Sequence, residues 1–224
     1  EYDRFFVRTF NRSLPGRKLS LAHAAAIALC LIFAGLSGLW AAAGSQPFFL
    51  GVSALFCYNG LYTPLKKRTF FAMVPGSLCG MIVPAIGWTA AGGRLFDPVI
   101  MNIMAIFGTW QMAHFFIILI KTRHKMRKLP GAQRFANFFS LFSAREIKYQ
   151  TMIWTSLYSL ALLLFIIKGS LMLPGFYLAV GLNAMATWGL LFWVVFKKQT
   201  ATILAFSGIN LSALLFMATG IVNS

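Results

Sequence analysis

Acidic residues are scarce in this chain. Of its 224 residues, four are Asp or Glu and 20 are Lys or Arg, so the formal net charge is +16. With charged residues at 11%, the chain could not cover a soluble domain of this size with polar surface. No carboxylate occurs between Asp97 and Glu146, so that stretch cannot supply carboxylate ligands to a metal ion. The three cysteines have no paired spacing, and the sequence therefore predicts neither a disulfide nor a cysteine metal centre.

Long apolar runs make up most of the chain. Hydrophobic residues account for 59% of the sequence, and the mean hydropathy is +0.75. A helix needs about 20 apolar residues to cross a bilayer. Seven stretches meet this requirement, near 21–43, 47–63, 70–91, 98–120, 149–167, 171–196 and 200–222. We therefore predict an all-α fold, a polytopic transmembrane helix bundle with seven spans, as a single domain over residues 1–224.

Basic residues gather on one side of the predicted spans. If the spans alternate in direction, 18 of the 20 Lys and Arg residues fall on one side, and Arg94 and Lys168 fall on the other. Lys and Arg are enriched in cytoplasmic loops. We therefore expect a cytoplasmic N-terminus, a basic cytoplasmic loop at 121–148, an external C-terminus and a bacterial inner-membrane location. Because the positive charge borders membrane spans, we expect no nucleic-acid partner.

A run of cations interrupts the apolar sequence at YTPLKKRT, residues 62–69. One interpretation is topological, since three cations hold a short loop in the cytoplasm. In the other, this turn, the N-terminal segment and the 121–148 stretch converge on a phosphate-bearing ligand whose hydrophobic tail lies between the helices. Prenyl diphosphates combine a charged phosphate end with a hydrophobic tail in this way, and anionic lipid headgroups would also fit the basic loops.

Three segments resemble a known family. DRFFVRTFNRSLPGRKLS, residues 3–20, resembles the end of the first acidic motif of UbiA-type intramembrane prenyltransferases. YTPLKKRTFFAMVPGSLCGMIVPAIGW, residues 62–88, resembles more narrowly the haem O synthases, or protohaem IX farnesyltransferases. WQMAHFF, residues 110–116, resembles a W-x-x-P-H-F signature of the same group, with Ala113 in place of the proline.

The resemblance implies a bundle of usually nine spans around a lipid-open cavity, with active-site loops on the cytoplasmic face. The chain does not begin with Met, and we expect that the family's first helix and most of its second precede Glu1. The implied activity is transfer of a prenyl group, best matched by farnesyl, from its diphosphate to an aromatic or tetrapyrrole acceptor. Conversion of haem b to haem O is the first expectation, with Mg²⁺ as the cofactor.

Site residues follow from the same resemblance. Asp3 matches the last ligand of the first acidic motif, so it is predicted to bind the metal and to act in catalysis with Lys66 and Lys67. The second acidic motif is not matched, because the sequence reads KTRHKMRKLPG and Lys125 stands near the expected Asp. The predicted substrate-binding residues are Arg8, Arg12, Tyr62, Arg68, Trp110, His114, Lys125 and Arg127.

Two of these expectations have structural alternatives. A histidine inside a span, such as His114, contacts a ligand or donates a hydrogen bond to a neighbouring helix. Trp88, Trp110, Phe115 and Phe116 would line a prenyl tail or stabilise positive charge through their π faces, or else serve helix packing.

Three functions remain open on these residues. The first is an active transferase with a prenyl diphosphate, a lipid-soluble acceptor and membrane lipids as partners. The second is a catalytically degenerate relative that binds a prenyl or tetrapyrrole ligand. The third is a structural or assembly subunit of a membrane protein complex, with a basic face that binds acidic lipids or a partner.

Overall fold

The computed structural model describes residues 12–14, 16–66, 68–126, 142–168, 174–196 and 202–222, with the backbone alone at 121–126, 168, 221 and 222. Within these ranges, seven helices are long and apolar enough to cross a membrane. They are α1 (Leu21–Ala43), α2 (Ser45–Leu65), α3 (Phe70–Ala90), α4 (Pro98–Met126), α5 (Ala144–Lys168), α6 (Pro174–Phe196) and α7 (Thr202–Val222). The predicted all-α bundle with seven spans is confirmed, and the chain is an integral membrane protein.

The helix ends differ from the predicted ones around the basic loop. Helix α4 continues to Met126, and α5 begins at Ala144. At the start of α5, the Glu146 carboxylate accepts a hydrogen bond from the Ser143 N–H at 2.6 Å, and the Ser143 hydroxyl accepts one from the Glu146 N–H at 3.1 Å. This reciprocal capping box fixes the helix start. The predicted loop at 121–148 is therefore helical at both ends, and residues 127–141 lie outside the described residues.

Consecutive helices run antiparallel. Between α5 and α6, Trp188 donates to Ser156 and Ser159 donates to the Ala184 carbonyl, so residue numbers rise along one helix as they fall along the other. The same reversal appears between α2 and α3, α4 and α7, and α6 and α7. The contacting pairs are Tyr62–Gly76 and Ala54–Cys79 between α2 and α3. They are Trp110–Ile209 and His114–Phe206 between α4 and α7, and Asn183–Ser212 and Leu190–Gly208 between α6 and α7. The α2–α3 turn and the α3–α4 loop consequently lie at opposite ends of the bundle.

The main core lies among α4, α5, α6 and α7. Tyr158 is fully buried there, and its hydroxyl forms a 2.8 Å hydrogen bond with the Ser212 hydroxyl. The Asn183 side chain donates to the Ser212 carbonyl at 2.9 Å. Polar side chains inside a membrane bundle need such interhelical partners, because lipid offers none. Helix α1 has no buried residue and lies at the edge of the bundle beside α2.

Glycines allow α3 and α4 to approach closely. A Cβ atom on Gly80 would lie 3.4 Å from both the Phe107 carbonyl oxygen and the Gln111 Cβ. A Cβ atom on Gly108 would lie 2.8 Å from Met81 Cγ. Small residues at such contacts are a common means of packing transmembrane helices. Gly108 therefore leaves room for the Met81 side chain, and Gly80 lies directly against the backbone of α4.

We expect Gly80→Leu to destabilise the bundle, because a branched side chain would meet the backbone of α4. Overpacking of this kind costs about 1–3 kcal/mol, and Gly80→Ala should cost much less because its Cβ makes only ordinary contacts. The matched control is Gly35→Leu, at a position where a Cβ meets nothing within 4 Å. The measurement is the thermal unfolding midpoint in detergent. Equal midpoints for Gly80→Leu and Gly35→Leu would contradict the proposed close approach.

Candidate functional site

A large cavity lies between the helices. Helices α2, α3 and α4 form most of its wall, with α5, α6 and α7 contributing at one end, and its volume is about 980 Å³. Ligand cavities in proteins are typically about 300–1,000 Å³. We call the end beside the α2–α3 turn, which carries Lys66 and Arg68, the basic end, and the end beside the α3–α4 loop the opposite end. The cavity wall includes residues near both ends of the bundle.

The cavity wall changes in polarity from one end to the other. Tyr58, Tyr62, Ser77 and Cys79 line it in the halves of α2 and α3 nearer the basic end, and Gln111 lines it at the middle of α4. Toward the opposite end, its wall consists of Val83, Pro84, Trp88, Val99, Ile103, Phe165, Phe176, Phe216, Met217 and Gly220. An amphiphile would therefore place its polar group toward the basic end and its hydrocarbon toward the other.

Helix α2 contains a π-helical segment, Phe56–Tyr62, that the sequence did not predict. The Tyr58 carbonyl accepts a 2.9 Å hydrogen bond from the hydroxyl of Thr63, five residues on, as well as one from the Thr63 N–H. Pro64 has no N–H to offer the preceding turn, which favours a departure from regular α geometry. The rings of Tyr58 and Tyr62 lie 5.5 Å apart, and both contact the cavity. Such segments often occur at functional sites.

Tyr62 lines the cavity and also contacts a cation. The Lys66 ammonium lies 5.3 Å from the centre of the Tyr62 ring, within cation–π range. A Cβ atom on Gly76 would lie 3.1 Å from the edge of the same ring. Because Gly76 has no side chain, there is room for the Tyr62 ring at this position. Two of the predicted site residues, Tyr62 and Lys66, therefore lie together at the basic end of the cavity.

Trp110 and His114 lie on α4 where it packs against α7. Trp110 lines the cavity, and its indole N–H donates to the Ile209 carbonyl at 3.1 Å. His114 does not line the cavity; its ring lies between Trp110 and Phe206, with centroid distances of 5.2 and 4.9 Å. Its ring lies near the Asn210 side chain of α7, while Nδ1 is buried without a partner. The structure thus gives His114 an interhelical contact, and its predicted contact with substrate stays a prediction.

The structure shows less about the other predicted site residues. Arg12 and Arg68 are exposed, and Lys125 lies in the last turn of α4, with its side chain outside the described residues. Asp3, Arg8, Lys67 and Arg127 also lie outside the described residues, so their roles stay predictions.

Of the four aromatic residues named from the sequence, three line the cavity, and their contact with a prenyl tail stays a prediction. Trp88, Trp110 and Phe115 line the cavity. Phe116 instead is buried, 1% exposed, and packs against Phe142 with ring centres 5.7 Å apart. The adjacent positions on α4 point about 100° apart, so one ring meets the cavity and the next meets the packed core.

The described carboxylates do not form a magnesium site. Asp97 caps the start of α4 by accepting the Val99 N–H at 2.8 Å, and Glu146 caps the start of α5 at the other end of the bundle. Among the described side chains, no group of three or more His, Cys, Asp or Glu could hold a metal ion. The residues in the described part of the chain therefore do not fit the metal that the resemblance implies.

Sequence reasoning missed several cavity residues. Tyr58, Ser77, Cys79 and Gln111 line the cavity, and Gly76 positions the ring of Tyr62. The four-residue spacing of Tyr58 and Tyr62 was a signal that both would share a helix face. The remaining positions are identifiable only once the partner of each helix is known.

A membrane bundle around a cavity with one cationic, polar end defines a class of protein that binds amphiphilic ligands inside the bilayer. The chain belongs to the UbiA prenyltransferase family, whose model matches residues 1–219. The resemblance found in its motifs is thereby confirmed.

Two curated relatives that share one name are similar to this chain. The chain is 30% identical over 193 residues to a protoheme IX farnesyltransferase from Nitratidesulfovibrio vulgaris, covering 84% of this chain and 62% of the relative. It is 44% identical over 145 residues to a protein of the same name from Geobacter sulfurreducens, covering 62% of this chain and 53% of the relative. The chain thus spans between half and two thirds of the length of these relatives. No solved structure matches it.

A double-mutant cycle tests whether His114 is coupled to Asn210 across the α4–α7 contact. We expect Asn210→Leu alone to destabilise the bundle by about 1–3 kcal/mol, because it removes the 2.6 Å hydrogen bond to the Phe206 carbonyl and places an apolar side chain beside the polar His114 ring. His114→Leu with Asn210→Leu should recover part of that loss, because both polar partners are removed together. The measurement is the free energy of unfolding in mixed micelles. Additive losses in the double variant would contradict an energetic coupling between the two residues.

Proposed function

We propose that this chain forms the catalytic bundle of a prenyltransferase that moves a farnesyl group from its diphosphate to haem b. The observation that carries the proposal is the polarity of the cavity, with Tyr62 and Lys66 at one end and hydrocarbon side chains at the other. Family membership and relatives named protoheme IX farnesyltransferase support the reaction and the substrates.

The diphosphate group binds at the basic end. Lys66 is partly buried and stands beside the polar half of the cavity, where a cation interacts with phosphate more strongly than in bulk water. Lys67 follows it in sequence, and Arg68 ends the triplet. These cations stabilise the negative charge that develops on the departing diphosphate. The prenyl tail then lies along α3 toward the opposite end.

The reaction breaks the bond between the allylic carbon and the diphosphate oxygen, and the electron pair leaves with the diphosphate. The allylic cation is protected from water by the apolar wall, and the π faces of Tyr58, Tyr62 and Trp110 stabilise its charge. The outer carbon of a haem vinyl group attacks this cation. Addition of water to the remaining vinyl carbon, with loss of one proton, gives the hydroxyethylfarnesyl group.

Metal binding is a separate prediction. Asp3 is the residue of this chain that matches the family's first acidic motif, and we propose that it binds Mg²⁺ with residues outside this sequence. The steps above assign no role to the metal and depend on the cations of the α2–α3 turn and on the aromatic rings.

Charge distribution supports an orientation with the basic end in the cytoplasm, since Lys and Arg are enriched there. The bacterial relatives support a location in the inner membrane. The diphosphate would then enter from the cytoplasm and the acceptor from the bilayer.

One observation favours a second function, in which the bundle binds the ligand without turning it over. The stretch between Asp97 and Glu146 contains no carboxylate, and Lys125 stands where the resemblance places an Asp. A cationic loop can retain a diphosphate or an anionic lipid headgroup without a second metal site.

The deciding experiment incubates membranes that contain the intact protein with farnesyl diphosphate, haem b and Mg²⁺. Mass spectrometry then detects farnesylated haem. Parallel reactions with quinone precursors and chlorin rings test other acceptors. Saturable binding of farnesyl diphosphate without any prenylated product would favour the binding function, and absence of both would refute the proposal.

We expect Lys66→Gln together with Lys67→Gln to weaken binding of farnesyl diphosphate by about tenfold or more, which corresponds to about 1.4 kcal/mol. The reason is the loss of two neighbouring cations, of which Lys66 lies beside the polar half of the cavity. The measurement is equilibrium binding to protein in nanodiscs, at low and high salt.

The matched control for this pair is Arg94→Gln, at the opposite end of the bundle, which should leave the affinity unchanged. The thermal unfolding midpoint of each variant verifies that the bundle is intact. Unchanged affinity in the Lys66→Gln, Lys67→Gln variant would confine these residues to setting the orientation in the membrane.

A further inference from the structure

The geometry points to Trp88 as the end wall that limits the length of the prenyl tail the cavity accepts. This inference rests on the proposed function, because it takes the diphosphate to lie at the basic end. It assigns a specificity-determining role to one residue at the other end.

Trp88 lies at the correct place for such a wall. Gly76, which contacts Tyr62 at the basic end, and Trp88 are both on α3 and both line the cavity. At about 1.5 Å per helical residue, they are separated along the helix by about 18 Å. A tail that starts near Lys66 and runs along α3 therefore meets the indole ring after crossing the apolar part of the cavity.

The indole ring is held in position by the α3–α4 loop. Its N–H donates to the Arg94 carbonyl at 3.0 Å, and the Gly93 N–H donates to the Trp88 carbonyl at 2.9 Å. A Cβ atom on Gly93 would overlap the indole, so the ring lies directly on the backbone of this loop. Gly92 adopts φ +84°, a conformation that glycine accepts readily and that lets the loop turn back beneath the ring.

The surroundings beyond the indole are unsuitable for hydrocarbon. A second, smaller cavity of about 520 Å³ lies along the same loop and is lined by Gln46, Arg94 and Asp97, among others. The free energy falls when hydrocarbon leaves polar, hydrated surroundings and rises when it enters them. A tail is therefore expected to end at Trp88 and not to continue past it.

Other side chains at this end are weaker candidates for the wall. Phe176 is 2% exposed and packs against Phe165 and Tyr177. Val99 is small, and Met217 is an unbranched side chain that can change rotamer to make room. Trp88 combines the largest side chain with a fixed orientation.

The test compares two diphosphates that differ by one isoprene unit, farnesyl and geranylgeranyl diphosphate, in direct competition. The indole ring system has more heavy atoms than an isoprene unit, so Trp88→Ala vacates enough space for the longer tail. We expect Trp88→Ala to raise the ratio of kcat/KM for geranylgeranyl over farnesyl diphosphate by about tenfold or more, a change of about 1.4 kcal/mol. Trp88→Leu should give an intermediate ratio.

The matched control is Phe96→Ala, which removes a ring from the same loop at a residue that is 82% exposed and lines the smaller cavity but not the large one. Its ratio should equal that of the unaltered protein. The same competition is also measured as equilibrium binding of the two diphosphates, so the result does not require turnover.

Failure of this inference is distinguishable from failure of the proposed function. If farnesyl transfer persists in Trp88→Leu and Trp88→Ala while the ratio stays at the unaltered value, Trp88 is not the wall and the proposed function stands. If no variant transfers either prenyl group, the proposed function fails, and the binding ratio alone decides the role of Trp88. Should Trp88→Ala not fold, the ratio measured for Trp88→Leu decides whether Trp88 limits the tail.

Discussion

Hydrocarbon offers no hydrogen-bond partner, and this constraint determines how the whole bundle is organised. Each span must satisfy its own backbone, so irregular backbone and charge are displaced to the two ends. Helix starts are capped there by Asp97 and Glu146, while polar side chains between spans, such as Tyr158 and Ser212, bond to each other. A site that handles a charged group must therefore lie near an end, and a site that holds hydrocarbon can extend through the interior.

The cavity exists because the helices of one half of the bundle pack less completely than those of the other. Helices α4 to α7 surround the fully buried Tyr158 and its neighbours, whereas α2, α3 and α4 leave an open space. Glycines contribute in two ways. Gly80 and Gly108 bring α3 and α4 together, and Gly76 leaves room for Tyr62. The π-helical segment of α2 adds a second tyrosine, Tyr58, to the polar half.

The scarcity of carboxylates leaves this chain with a strongly positive net charge, +16. Its two described acids serve helix capping, and Lys66 and Arg68 lie in the turn beside the polar half of the cavity. In the proposed function, fixed positive charge at this turn contributes to binding of the diphosphate. The basic connections thus serve membrane orientation and, in the proposed function, ligand binding through the same physical property.

The sequence by itself determined the number of spans, their approximate limits and the concentration of charge at one end, because apolar length and Lys/Arg bias are local properties. It also singled out Tyr62 and Trp110, which line the cavity, and Lys66, which lies beside it. Only the tertiary structure decided that Ser77 and Gln111 face a cavity, that Phe116 faces the core, and that the His114 ring contacts Phe206 of a neighbouring helix. Nearly every face of a membrane helix is apolar, so hydrophobic periodicity carries little information about direction, and the packing of partner helices must supply it.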